Sequence, residues 1–135
     1  KLNEKILKIK NLTIALPKNA DRQFAVEDAN LDVFKGEILF IVGESGSGKS
    51  VMTSAILNDI PKGLSVTSGS VIFNEKDILK LSQKELNKLR GANISMIYQE
   101  PMAALNPSIR VGKQVDEVYA LHRPYIYNYL SAANL

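Results

Sequence analysis

Cysteine is absent from this 135-residue sequence, so neither a disulfide framework nor a thiolate zinc site is available. That absence accords with a reducing compartment. Long apolar runs are also missing. The longest, residues 38–42, falls far short of the roughly 20 residues that a membrane-crossing helix needs. The first residues lack the uninterrupted apolar core of a signal peptide. Any membrane association is therefore expected to come through a partner. The formal charge of +3 is not gathered into a block of one sign. Attraction to nucleic acid or anionic lipid is correspondingly weak, and no nucleic-acid partner is expected. There is no internal repeat and no low-complexity segment.

What is present reads as one soluble domain with a buried core, at 45% hydrophobic and 23% charged residues. Residues 6–13 place Leu7 and Ile9 between lysines at period two, the pattern of a half-buried strand with Lys8 and Lys10 in water. Ala29, Leu31 and Val33 alternate with Asn30 and Asp32 in the same way. The polar stretch Pro17-Lys18-Asn19-Ala20-Asp21 connects the two strands. After Lys35-Gly36, the run 37–42 is apolar without alternation, which predicts a central parallel strand buried on both faces.

Met52, Ala55 and Ile56 then fall at helical spacing within 50–59, before Pro61 and Gly63 end the pattern. A short strand over 71–73 and a polar turn, Asn74-Glu75-Lys76-Asp77, follow. Ser82-Gln83-Lys84-Glu85 is a capping box, predicting a helix from about 83 to 90 that stops at Gly91. Residues 94–98 form a second candidate for a buried strand. Val111, Val115, Val118 and Tyr119 predict a helix to about His122, ended by Pro124.

Between the predicted strand 37–42 and the predicted helix 50–59 lies Gly43-Glu44-Ser45-Gly46-Ser47-Gly48-Lys49-Ser50. A loop that wraps phosphate needs glycines, because its backbone takes conformations closed to other residues and approaches the oxygens closely. The loop N–H groups and the helix N-terminus then face the anion. Lys49 is expected to reach the β- and γ-phosphates, and the Ser50 hydroxyl to ligate Mg²⁺. From average residue usage the pattern arises by accident in roughly one chain in a few hundred of this length. A strand before it and a helix after it make accident rarer still.

Three stretches together resemble the ATP-binding-cassette (ABC) ATPases, and within them the ATPase subunits of peptide and nickel importers. They are Val42 with the glycine loop; Ile94-Ser95-Met96-Ile97-Tyr98-Gln99-Glu100-Pro101-Met102; and Leu105-Asn106-Pro107-Ser108-Ile109-Arg110-Val111-Gly112. The resemblance extends to about His122. It implies an α/β fold: the P-loop NTPase core of an ABC ATPase, with a partly parallel sheet and antiparallel N-terminal strands, truncated before the signature motif and the acidic strand. Residues 1–100 are expected to form the ATP-binding core. Residues 101–135 are expected to carry the continuation of the Q-loop and the start of the helical subdomain.

The implied cofactors are ATP and Mg²⁺, contacted by Gly43, Glu44, Ser45, Gly46, Ser47, Gly48, Lys49, Ser50 and Val51. Lys49 and Gln99 are the implied catalytic residues. Gln99 is the Q-loop glutamine that, with Ser50, attends the metal or the attacking water. Relatives stack an aromatic ring on adenine from a position near Leu16. Phe24 is the aromatic in that region here, a candidate for stacking and equally for the core. The implied partners are a second ATPase subunit, in a head-to-tail dimer, and transmembrane permease subunits, which relatives touch through residues 101–111. The implied location is cytoplasmic, peripheral at the inner face of the cell membrane.

Two parts of a complete ABC ATPase do not occur. Leu130-Ser131-Ala132-Ala133-Asn134 opens like the Leu-Ser-Gly-Gly-Gln signature without its glycines, and no strand ends in Asp-Glu. Val71-Ile72-Phe73-Asn74-Glu75 stands in the wrong place for that strand. Asp116 and Glu117 read as solvent-facing helix residues, and His122 as a surface helix end. The expectation is therefore the ATP-binding fragment of an importer subunit that binds ATP without turning it over alone. A stand-alone P-loop module with no transport partner is the alternative. A P-loop kinase or GTPase is a third reading, though Asn74-Glu75-Lys76-Asp77 does not fit the Asn-Lys-x-Asp element that reads guanine.

Overall fold

The computed structural model describes residues 4–100 and 105–132, and of these 123–132 as backbone only. The chain separates into two compact units, Lys1–Leu86 and Asn87–Leu135. The first holds a four-stranded antiparallel sheet in the order β2-β1-β3-β4. Its strands are β1 (Lys5–Ala15), β2 (Phe24–Phe34), β3 (Ser65–Phe73) and β4 (Lys76–Asp77). Helix α1 (Lys49–Ile56) lies between β2 and β3 in sequence, and a 3-10 turn (Ile78–Lys80) follows β4. Helix α2 (Gln83–Leu89) runs across the boundary between the units, and α3 (Val111–Ala132) belongs to the second.

The central strand β1 shows how the sheet obtains its core. Leu7 and Ile9 are buried, with Lys8 and Lys10 exposed between and after them, as the alternation predicts. Uninterrupted period two would then aim Asn11 inward and Leu12 into water. Instead Asn11 takes a left-handed φ of 47°, and the pairing shifts against both neighbours, between Ile9 and Leu12 on one side and between Lys10 and Thr13 on the other. A bulge of this kind inserts one residue and resets the face. Leu12 and Ile14 are consequently fully buried, each contributing on the order of 1.5–3 kcal/mol of gross hydrophobic stabilisation.

Polar side chains replace the ladder bonds that the bulge disrupts. The Asn11 amide nitrogen Nδ2 donates to Asp28 Oδ1 at 2.7 Å, and its backbone N–H donates to Asn30 Oδ1 at 3.0 Å. On the other side β3 presents Gly69, with φ 95°. A Cβ there would lie 2.5 Å from the Asn11 carbonyl oxygen and from Leu12 Cα. Gly69→Ala is expected to cost about 2 kcal/mol or more, lowering the thermal midpoint of the first unit by several degrees. A midpoint within one degree of the parent would show that the bulge yields.

The β3–β4 hairpin turns on Asn74 and Glu75, both at positive φ (45° and 67°), the signature of a two-residue type I′ turn. The strand predicted over 71–73 is real but starts earlier, at Ser65. Helix α1 stops at Ile56, short of the expected 59, because Asn58 enters the left-handed region at φ 49° and its N–H bonds the Ala55 carbonyl. At α2 the capping box forms. Glu85 Oε2 accepts from the Ser82 backbone N–H at 2.8 Å and from its hydroxyl at 2.6 Å.

Three expectations fail. Residues 37–42 are not a strand and not buried: Ile38, Phe40 and Val42 are 82%, 82% and 92% exposed. Residues 94–98 contribute only an isolated bridge between Arg90 and Ile94, and Ile97 is 99% exposed. The sheet is thus wholly antiparallel, without the parallel part that was expected. A parallel strand takes all its backbone partners from neighbouring strands and its burial from covering layers. Among the described residues, neither run has them. Third, α3 does not end before Pro124 but runs to Ala132. Proline removes one N–H from the helical ladder and disfavours helix in the residue before it, without barring the turns on either side. Among the described residues no helix is long and apolar enough to cross a membrane.

Candidate functional site

The glycine loop occupies the segment between the exposed run 37–42 and α1. Gly48 is the N-cap of α1, at φ 91° and ψ 2°. It offers no side chain, and the helix start has neither a capping hydrogen bond nor an acidic residue in its first turn. The first N–H groups of a helix have no partner within it. Here they meet no acidic competitor for an incoming anion, and the helix dipole favours one at this end.

Gly48 also packs against β2. A Cβ at this position would lie 2.1 Å from the Ala25 carbonyl oxygen and 3.3 Å from Val26 Cγ2. The loop is therefore moored to the buried start of a sheet strand, a rigid support for a flexible-looking sequence. Residues 44–47 close a turn through the Ser47 N–H and the Glu44 carbonyl, 3.2 Å apart.

Lys49 folds back over this loop. Its ammonium donates to the carbonyl oxygens of Gly43 at 2.7 Å and Glu44 at 2.6 Å, and to Ser47 Oγ at 3.1 Å. An ammonium has three donors. Two hold backbone carbonyls, and the third rests on a hydroxyl that water or an anion can replace. The charge is thus positioned over the loop by the loop's own backbone. Ser50, the second residue of α1, is exposed, and Val51 behind it is half-buried. Glu44, Ser45, Gly46 and Ser47 are exposed.

Among the described residues no group of three or more His, Cys, Asp or Glu side chains could hold a metal ion. A divalent cation here would draw on the Ser50 hydroxyl and on oxygens brought by a ligand, the habit of Mg²⁺ with phosphates. Phe24, the first residue of β2, is half-buried and pairs with Ala15. Gln99 lies in the second unit, exposed, just after the run 94–98. Pro101 and Met102, which continue its stretch, and Ala133 and Asn134 lie outside the described residues. Asp116 and Glu117 are exposed on α3, as expected, and His122 is half-buried.

In the second unit Leu105, Ile109, Val115, Val118 and Tyr119 border an apolar cleft of about 690 Å³. Gln114 builds one wall of it. Its Oε1 accepts from the Asn106 N–H at 3.0 Å, while Nε2 donates to the carbonyls of Asn106 at 3.1 Å and Ile109 at 2.8 Å. One side chain thus clips the loop 105–110 to α3. Gln114→Ala is expected to raise the exchange rate of the Asn106 amide about tenfold. Hydrogen exchange that leaves Asn106 as protected as before would show the clip to be idle.

A scan of protein families matches residues 26–133 to the ABC transporter family. The chain belongs to the ABC transporter family. Among curated proteins this ABC chain is 43% identical over 121 residues to the dipeptide transport ATP-binding protein DppD of Bacillus subtilis, covering 89% of the chain and 36% of that relative. It is 44% identical over 118 residues to the oligopeptide transport ATP-binding protein OppD of Escherichia coli, covering 87% of the chain and 35% of the relative. The B. subtilis OppD is 43% identical over 119 residues, with 87% and 33% covered. The ABC chain therefore spans about a third of the length of these relatives.

Among solved structures, cbiO1 from Clostridium perfringens, part of the ABC transporter complex cbiONQ, superposes with a TM-score of 0.50 at 24% identity, over 98% of this chain and 51% of that one. That likeness speaks to the fold alone.

Proposed function

We propose that the chain is the nucleotide-holding part of an ABC importer ATPase serving peptide uptake, with ATP·Mg²⁺ bound at the glycine loop. The observation that carries this reading is the seating of Lys49. Its ammonium lies over a glycine loop that leads into a bare helix N-terminus, and charge, unpaired donors and close backbone approach converge on one small region. The names of the similar proteins favour peptides over nickel.

In this reading Lys49 takes the β- and γ-phosphates, Ser50 holds Mg²⁺, and Gln99 attends the metal or the attacking water. Phe24 is the candidate for the adenine face. The cation supplies charge neutralisation to the phosphates when bound. A second ATPase subunit and permease subunits complete the machine at the inner membrane face, with the segment 101–111 offered to the permease. By itself the chain binds nucleotide without turning it over.

Calorimetric titration of the full chain with ATP and GTP, each with and without Mg²⁺, tests the site. Tighter binding of ATP with Mg²⁺ is expected, and equal or stronger GTP binding would overturn the ATP assignment. Co-purification with a peptide-importer permease tests the partnership. Failure in both nucleotide-bound and nucleotide-free states would favour a solitary nucleotide-binding module.

A further inference from the structure

The connection between β1 and β2 reaches the glycine loop through a side chain that has no part in the loop motif. Arg22 sits near the end of this connection, which is closed by a hydrogen bond from the Leu16 N–H to the Gln23 carbonyl at 2.9 Å. Its guanidinium Nη2 donates to the carbonyl oxygen of Gly46, inside the turn 44–47. Lys49 already holds the carbonyls of Gly43 and Glu44. The carbonyls at 43, 44 and 46 are therefore each held by a cationic side chain, two by Lys49 and one by Arg22.

A carbonyl gripped in this way fixes its whole peptide plane, because the bond to the next nitrogen does not rotate freely. The plane gripped by Arg22 is the one whose N–H, on Ser47, closes the turn onto Glu44. We infer that Arg22 is a positioning residue for phosphate binding: it holds the turn 44–47 from outside, so that the loop is already shaped when the anion arrives. The inference rests on the phosphate-loop reading of residues 43–50. It concerns how tightly that site binds, not which nucleotide it selects. Arginine suits the task, since its planar fork loses little freedom on binding. Arg22 is exposed, so the fold does not lean on it, and its effect should surface in binding rather than in stability.

The test uses the full chain and two probes, ATP and inorganic tripolyphosphate, which carries the phosphates without the base. Arg22→Ala is expected to weaken both by about five- to tenfold, with the thermal midpoint unmoved. Arg22→Lys, which keeps a charged donor, is expected to recover affinity to within about threefold of the parent. Lys49→Ala run alongside separates the two claims. If Lys49→Ala abolishes binding and Arg22→Ala binds like the parent, the role given to Arg22 falls while the phosphate loop stands. A loss for ATP with none for tripolyphosphate also overturns it, since Arg22 would then be acting on the nucleoside. If Lys49→Ala leaves both affinities unchanged, the phosphate-loop reading falls and takes this inference with it.

Discussion

Lys49→Ala is expected to lower ATP affinity at least a hundredfold, about 2.7 kcal/mol, while the thermal midpoint moves by no more than a few degrees. The two halves of that expectation have separate causes. Binding suffers because the ammonium is seated over the loop by the carbonyls of Gly43 and Glu44, and charge-assisted hydrogen bonds are worth about 1.5–3 kcal/mol each. The fold is spared because the groups released by the substitution, the carbonyls of Gly43 and Glu44 and the hydroxyl of Ser47, belong to exposed residues that water can satisfy. Titration calorimetry and a melting curve on the same preparation read both halves. Unchanged ATP affinity would sink the phosphate-loop assignment.

Gly48→Ala is expected to damage fold and site together. The added Cβ would fall 2.1 Å from the Ala25 carbonyl oxygen, a backbone atom of a strand whose Ala25 and Val26 are buried. It would also have to adopt φ 91°, which side-chain-bearing residues avoid. Either α1 shifts off β2 or the loop changes path. A cost of about 3 kcal/mol or more is expected for the first unit, with nucleotide binding lost at the same time. Gly36→Ala isolates the backbone term: Gly36 has φ 76° and nothing within 4 Å of its missing Cβ, so about 1 kcal/mol is expected there. Equal melting points for the two variants would mean that the contact with β2 is unimportant.

The features legible in the sequence were those written in neighbouring residues. The alternation of Leu7, Lys8, Ile9 and Lys10 declared a strand, Ser82 and Glu85 declared a helix start, and the spacing after the glycine loop declared a helix from Ser50 that begins one residue earlier, at Lys49. The misses arose where structure depends on something distant. Residues 37–42 carry the composition of a buried strand, yet composition states what a segment would bury, not whether a partner is at hand. The bulge at Asn11 depends on Asp28, Asn30 and Gly69, far away in sequence. Pro124 predicts a helix end because local preference is all that a local pattern contains.

At the site, the loop itself was legible and its supports were not. Arg22 sits among the turn residues of a polar connection, and nothing near it in the sequence pairs it with Gly46. Gln114 falls within a helix at a position that periodicity leaves polar, and its three bonds to Asn106 and Ile109 appear only once the chain has turned back.

The exposed run at 38–42 has a consequence for how the protein is made. Five consecutive apolar residues without proline have the makings of a segment that stacks against copies of itself. Lys35, Glu37 and Glu44 flank it closely on both sides. In a crowded ribosomal neighbourhood, where many nascent copies present this exposed stretch to one another, those charges are placed to act as gatekeepers. Identical chains laid side by side in register would bring like charges together at each end, which opposes that stacking.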